Sequence, residues 1–184
     1  MRDIIIAATI EEIKVRGLRF TMQDLAARLK VSKRSLYENF TSKEELIGAL
    51  LEAILADMER QEQVICDGSD ATSAKLQKLL TVHPYDAEMF NKNIYEDLKR
   101  IFPRQWQLIE EARLRRQQRL ERLLADGVAC GELRPVHIGL VGQLIKDAFA
   151  SFTSYSFLDK NGLTYKGAMA ELLDILLQGI ARKG

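Results

Sequence analysis

Histidine is nearly absent from this sequence. His83 and His137 stand alone, neither with a Glu or His at the spacing that would bring a partner onto the same helical face. There is no H-E-x-x-H, no paired E-x-x-H and no phosphate-cradling glycine loop. A catalytic or metal centre has no convergent groups to be built from, so neither an enzyme nor a bound cofactor or metal is expected. Cysteine is equally scarce. Cys66 and Cys130 show no CxxC spacing. They can close one disulfide, but two reduced, partly buried thiols are the favoured reading, since a chain of 184 residues buries roughly 70% of its unfolded surface without cross-links.

Long apolar runs are missing too. No window approaches the ~20 apolar residues of a membrane span. The opening MRDIIIAATIEEI is too short in its apolar part for a signal peptide and passes straight into Glu11 and Glu12. A cytoplasmic protein with no membrane partner is the expectation. No convincing strand alternation, repeat or low-complexity tract occurs, which leaves an all-α chain.

Charge is nearly balanced, with 27 Lys and Arg against 26 Asp and Glu, so the whole molecule lacks the excess typical of a dedicated nucleic-acid domain. Its distribution is uneven. Residues 25–37 hold Arg28, Lys30, Lys33 and Arg34 and no carboxylate. That local stretch can serve as a phosphate footprint.

Helical periodicity organises the rest. Ile6, Ile10 and Ile13 keep one face, with Glu11, Glu12 and Lys14 opposite, and Gly17 ends the helix. Thr21-x-x-Asp24 reads as an N-cap with a first-turn acid, ahead of Leu25, Ala26 and Leu29. Ser32 can cap a short helix held by Leu36 and Phe40. Ser42-x-x-Glu45 reads as a capping box opening a long helix. Further helices are expected over 74–82, 86–101 (stopped by Pro103), 104–126 (ended by Gly127 or Gly131), 136–157 and 165–181.

A capped helix, a tight turn and a second capped helix make a helix-turn-helix. The second helix, in VSKRSLYENF, is too short to stand alone and must be pinned by Leu36 and Phe40. Its amino end then offers Lys33 and Arg34 to base edges and phosphates in a major groove, Arg being the best single reader of guanine O6 and N7.

Phe20-Thr21-Met22-Gln23-Asp24-Leu25-Ala26, Val31-Ser32, Leu36-Tyr37, Phe40 and Ser42-Lys43-Glu44-Glu45-Leu46 closely resemble the tetracycline-repressor-like (TetR) family over about residues 4–47. The resemblance implies a helix-turn-helix DNA-binding domain over 1–47 and a larger helical dimerisation and effector-binding bundle over 48–184. It implies that Thr21, Tyr37 and Lys43 meet phosphate and that Ser32, Lys33, Arg34 and Ser35 face the groove; Lys30 is a further DNA-binding candidate in the turn between them. Lys30 departs from the family pattern, which has Gly in that turn. Either the turn differs, or Lys30 takes a left-handed conformation at a cost on the order of 1 kcal/mol and gains a phosphate contact.

The resemblance also implies a homodimer on palindromic double-stranded operator DNA and an unidentified small-molecule effector. Apolar faces suited to a symmetric four-helix interface include Leu140, Leu144 and Ala148 on one helix and Leu173, Leu176, Leu177 and Ile180 on another. Phe90, Tyr95, Phe102 and Trp106 lie where the family places its effector cavity. In ARLRRQQRL, arginines such as Arg113 and Arg116 read either as a solvated surface or as the polar lining of an anionic effector's cavity. The expected function is that of a transcriptional regulator, most simply a repressor. An activator of the same fold and a helical interaction module without specific DNA binding are the alternatives.

Overall fold

The computed structural model describes residues 1–82, 92–153 and 156–180, without the side chains of Lys92, Thr153, Ser156, Asp159 and Ile180. His83 and Phe90, and the side chain of Ile180, thus lie outside the described residues. The described elements are helical throughout: α1 (Arg2–Arg16), a 3-10 turn (Gly17–Arg19), α2 (Met22–Leu29), α3 (Lys33–Tyr37), α4 (Lys43–Asp67), α5 (Thr72–Thr81), α6 (Lys92–Ile101), α7 (Pro103–Ala129), α8 (Ile138–Thr153), α9 (Ser156–Asn161) and α10 (Tyr165–Ile180). No helix among them is long and apolar enough to cross a membrane.

The chain forms two compact units. One comprises Met1–Asp57 and the described part of Pro84–Glu111; the other comprises the described parts of Met58–His83 and Ala112–Gly184. In the first, Ile5 and Ile13 of α1, Leu25 of α2, Leu36, Phe40, and Leu46, Ile47 and Leu50 of α4 share one core with Ile94, Leu98, Phe102 and Ile109. The buried stripe of α1 is set one residue from the expected one: Ile5, Thr9, Glu12 and Ile13 are inside, and Ile6 and Ile10 are half-buried. Two polar residues therefore need partners. Thr9 Oγ1 donates to the Ile5 carbonyl at 2.7 Å. The Glu12 carboxylate takes Arg28 Nε at 2.5 Å and Arg16 Nε at 3.2 Å. Such pairing is what makes a buried carboxylate tolerable.

The caps follow local chemistry. Thr21 and Asp24 form a full capping box, the Asp24 N–H donating to Thr21 Oγ1 at 3.2 Å and the Thr21 N–H to Asp24 Oδ2 at 2.7 Å. At the head of α4 only half of the expected box forms. The Glu45 N–H donates to Ser42 Oγ at 3.1 Å, but the Glu45 carboxylate reaches one residue further back, accepting from the Thr41 N–H at 2.7 Å and hydroxyl at 2.8 Å. Pro103 opens α7 at its first helical position, where its missing N–H costs nothing.

In the second unit, Leu76, Leu79 and Leu80 of α5, Leu120, Leu123 and Leu124 of α7, Val141 and Ile145 of α8, and Met169 and Leu173 of α10 make the core. Of the two glycines expected to end this helix, α7 runs through Gly127 and stops at Ala129, just before Gly131. A Cβ at Gly127 would lie 2.6 Å from Thr72 Cγ2 and 2.9 Å from Leu133 Cδ1, so Gly127 serves close packing, and the chain turns at Gly131 with φ 82. Of the region expected as one helix over 136–157, α8 covers Ile138–Thr153 and α9 begins at Ser156, with residues 154–155 outside the described ones. Cys66 is half-buried and Cys130 exposed, both as free thiols, so Cys130 is less covered than expected.

Candidate nucleic-acid interface

The motif is built on α2 and α3. Leu36 and Phe40 are 0% exposed, which fixes the orientation of a five-residue helix that could not persist alone. With that face committed to the core, Thr21, Lys30, Ser32, Lys33, Arg34 and Tyr37 are exposed, and Ser35 is half-buried. Ser32 caps α3 by accepting the Ser35 N–H at 3.0 Å, and the two hydroxyls lie 2.9 Å apart. The ammonium of Lys33 stands 5.9 Å from the Tyr37 ring centroid. The exposed end of α3 therefore presents two cations, a phenol and a capped backbone to one side.

Lys30 closes α2 with φ 54 and ψ 40, the one left-handed non-glycine among the described residues. Of the two expected alternatives, the turn keeps the glycine-type geometry, and the N–H of Lys30 bonds back to the carbonyls of Ala26 and Ala27.

Thr21 and Lys43 sit differently from simple phosphate ligands. The Thr21 hydroxyl donates to Asp24 Oδ2 at 2.7 Å, and these bonds from Thr21 hold the Asp24 carboxyl below its ordinary range. Lys43 is half-buried. Its Nζ donates to the Leu18 carbonyl at 2.7 Å and to that of Phe20, and lies 4.2 Å from the Phe20 ring centroid. Burial lowers its pKa. Two of its three N–H groups are thus used inside the unit.

Neighbours that the sequence reading did not single out complete the surface. Arg34 Nε donates to Glu38 Oε1 at 3.1 Å, and Asn39 Nδ2 to the Ser35 carbonyl at 2.8 Å. Arg2 donates to the Asn39 carbonyl, lies over the Phe40 ring at 4.0 Å and faces Glu45 at 3.4 Å. The i,i+4 spacing of Arg34 and Glu38 was a signal for the first. Nothing local signals Arg2, which is 37 residues from Asn39.

The residues expected around an effector fall in both units. Phe102 is buried in the core of the first unit, where Tyr95 and Trp106 also pack, their rings edge-to-face at 5.9 Å. Arg113 and Arg116 belong to the second unit, both half-buried. Arg116 Nη2 donates to the carbonyls of Leu79 at 2.6 Å and Val82 at 3.0 Å, ending α5, and its Nε lies 3.3 Å from Glu62. Arg119 pairs with Glu62 at 2.7 Å and with Glu59. Arg116 and Arg119 thus already have partners within this unit. A cleft of about 440 Å³ in the first unit is lined by Arg2, Glu44, Glu52, Arg104 and Gln105, among others. In the second unit a void beside Leu80, Tyr165 and Met169 is only about 10 Å³, at the lower limit for one water. No group of three or more His, Cys, Asp or Glu among the described residues could hold a metal ion.

A family model described as bacterial regulatory proteins, tetR family, matches residues 5–50, the span that holds this motif. Residues 5–50 are similar to the DNA-binding part of TetR-family regulators. An uncharacterized HTH-type transcriptional regulator of Bacillus subtilis, YvaF, is 35% identical over 103 residues, 55% of this chain. That alignment spans about half, 54%, of the relative's length. The HTH-type transcriptional repressor KstR2 of Mycobacterium tuberculosis is 27% identical over 179 residues, covering 92% of this chain and 87% of its own. The solved structure of KstR2 superposes with a TM-score of 0.70 at 24% identity, over 99% of this chain and 95% of that one. FadR of Bacillus subtilis, solved with stearoyl-CoA, gives 0.68 at 20% identity, over 96% and 97%. These two solved structures share their fold with this chain.

Proposed function

We propose that this protein is a TetR-family, sequence-specific DNA-binding transcriptional regulator, a repressor that binds a palindromic operator as a homodimer and is released by a small-molecule effector. The observation that carries the reading is the division of α3. Leu36 and Phe40 are wholly buried, while Lys33 and Arg34 stand exposed at the helix's amino end, the geometry that enters a major groove. Arg34 reads a base, Lys33 reads a base or binds phosphate, and Ser32 and Ser35 line the same edge. Lys30, Tyr37, the Thr21 end of α2 and the remaining N–H of Lys43 meet the backbone.

One α3 is too short to specify a site, so two are required, about one DNA turn apart or a multiple of it. The pairing surface is drawn from α8 and α10. Leu140 and Leu144 are 59% and 50% exposed one turn apart, with Ala148 half-buried beyond them, and Ile175 of α10 is 63% exposed. Leu176 and Leu177 are half-buried and contribute edges; Leu173 is turned into its own core. The DNA-binding part is assigned to 1–47 and the dimerisation and effector part to 48–184.

Selection of purified protein on random duplex DNA at moderate salt tests the reading. Recovery of a palindrome supports a dimeric reader and gives its half-site spacing. Sequence-blind binding, or none, favours the interaction module instead.

A further inference from the structure

Glu38, the exposed C-cap residue of α3, grips Arg34 in a particular way. The bond runs from Arg34 Nε to Glu38 Oε1 at 3.1 Å, with side chains 89% and 61% exposed. A guanidinium offers five N–H groups in a rigid fork. Holding it by Nε leaves both terminal amino groups open, and those are the pair that reach guanine O6 and N7 end-on. Glu38 itself stands on fixed backbone. Its N–H bonds to the Arg34 carbonyl at 2.9 Å, and the Phe40 N–H two residues on bonds to the Leu36 carbonyl at 2.9 Å above a fully buried ring.

We infer that Glu38 is a positioning residue for base recognition: it holds Arg34 by Nε so that the terminal amino groups are presented to a guanine. The inference rests on the reading of Arg34 as a base contact. Glu38 touches no DNA in this arrangement. Its charge works against sequence-blind binding, because it offsets one cation of the Lys30, Lys33 and Arg34 group on a surface that meets phosphate. Its geometry works for specific binding, because an arginine already oriented loses less side-chain freedom when it docks. Removing Glu38 therefore moves the two kinds of binding in opposite directions, which a purely structural residue or a simple charge does not do. An exposed i,i+4 pair also adds little to stability, so folding should not obscure the result.

The test compares wild type, Glu38→Ala, Glu38→Gln, Arg34→Ala and the double Arg34→Ala/Glu38→Ala variant on the selected operator, on operators changed at each base pair, and on random duplex. Thermal melts serve as the fold control. In Glu38→Ala, binding to random duplex should tighten by about two- to fivefold at low salt. Discrimination at the base pair read by Arg34 should fall by about twofold, the worth of an exposed i,i+4 pair. Glu38→Gln keeps an oxygen to accept Nε–H and should restore part of that discrimination. In the Arg34→Ala background the second change should leave base preference unaltered. If Arg34→Ala abolishes preference at one base pair while Glu38→Ala leaves or sharpens it, the positioning role is overturned and the base contact stands. If Arg34→Ala changes no base preference, the base-reading role of Arg34 fails first.

Discussion

Lys43 Nζ donates to the carbonyl oxygen of Leu18 at 2.7 Å, tying the head of α4 to the 3-10 turn that leads into the reading motif. The same ammonium serves the Phe20 carbonyl and faces the rings of Phe20 at 4.2 Å and Phe102 at 5.7 Å. Lys43 is therefore first a brace. Replacing it with Met keeps the stem but leaves two carbonyls without their donor. The variant should lose about 1–2 kcal/mol of stability, read by urea unfolding without DNA. Weakened DNA binding with unchanged stability would instead make the phosphate its main partner.

Lys30 holds φ 54 where a side chain is costly. Lys30→Gly should raise stability by up to about 1 kcal/mol, because glycine adopts that conformation freely. The same variant reports on DNA. If Lys30 meets phosphate, the dependence of log K on log salt becomes shallower by about one unit even as the fold grows more stable. A stable variant with an unchanged slope would leave Lys30 as a turn residue only.

Arg34 and Lys33 are adjacent but should behave differently. Arg34→Ala should cost about 1–3 kcal/mol on the operator and relax preference at one base pair. If Lys33 serves phosphate, Lys33→Ala should weaken every site alike and shallow the salt slope by about one unit. Binding measured on single-base operator variants at two salt concentrations separates them; identical profiles would overturn the division.

What could be read in the sequence was what is local. The Thr21 and Ser32 caps and the Leu36/Phe40 pair follow from spacing within a turn or two, and they suffice to orient α3. What escaped depends on partners distant in the chain. Glu12 reads as a surface carboxylate until Arg28, 16 residues on, is folded over it. Arg116 reads as solvated or as cavity lining until the end of α5 is placed under its fork. Gly127 looks like a helix end because the Thr72 methyl that requires it lies on another helix. Leu173 and Ile175 are alike in composition and only two residues apart. Which of them turns inward is fixed by how α10 rotates against α5 and α8, and the packing buries Leu173 and exposes Ile175.

That distinction separates dimerisation from folding. Leu144→Asp places a charge on the exposed face of α8 and should yield folded monomer, read by sedimentation equilibrium together with a melt. Leu173→Ala empties a core position and should cost about 2–5 kcal/mol, whatever the oligomeric state. A Leu144→Asp protein that stays dimeric would move the interface elsewhere.

Two carboxylates make the first unit acid-sensitive in a defined direction. Asp24 accepts from the Thr21 hydroxyl and N–H, and Glu45 from the Thr41 N–H and hydroxyl, and in both cases these bonds lower the folded-state pKa. An unfolded chain holds these groups near about 3.9 and 4.3. A lowered folded pKa means the native state binds fewer protons, so the contribution is complete above those values and disappears as pH falls through the folded ones. The Asp24→Asn/Glu45→Gln variant should be less stable than wild type at neutral pH. Urea midpoints measured downward from neutral pH should converge below about pH 4 as the wild-type carboxylates protonate. A gap that stays constant with pH would mean that the caps act through shape and neutral hydrogen bonding, not through charge.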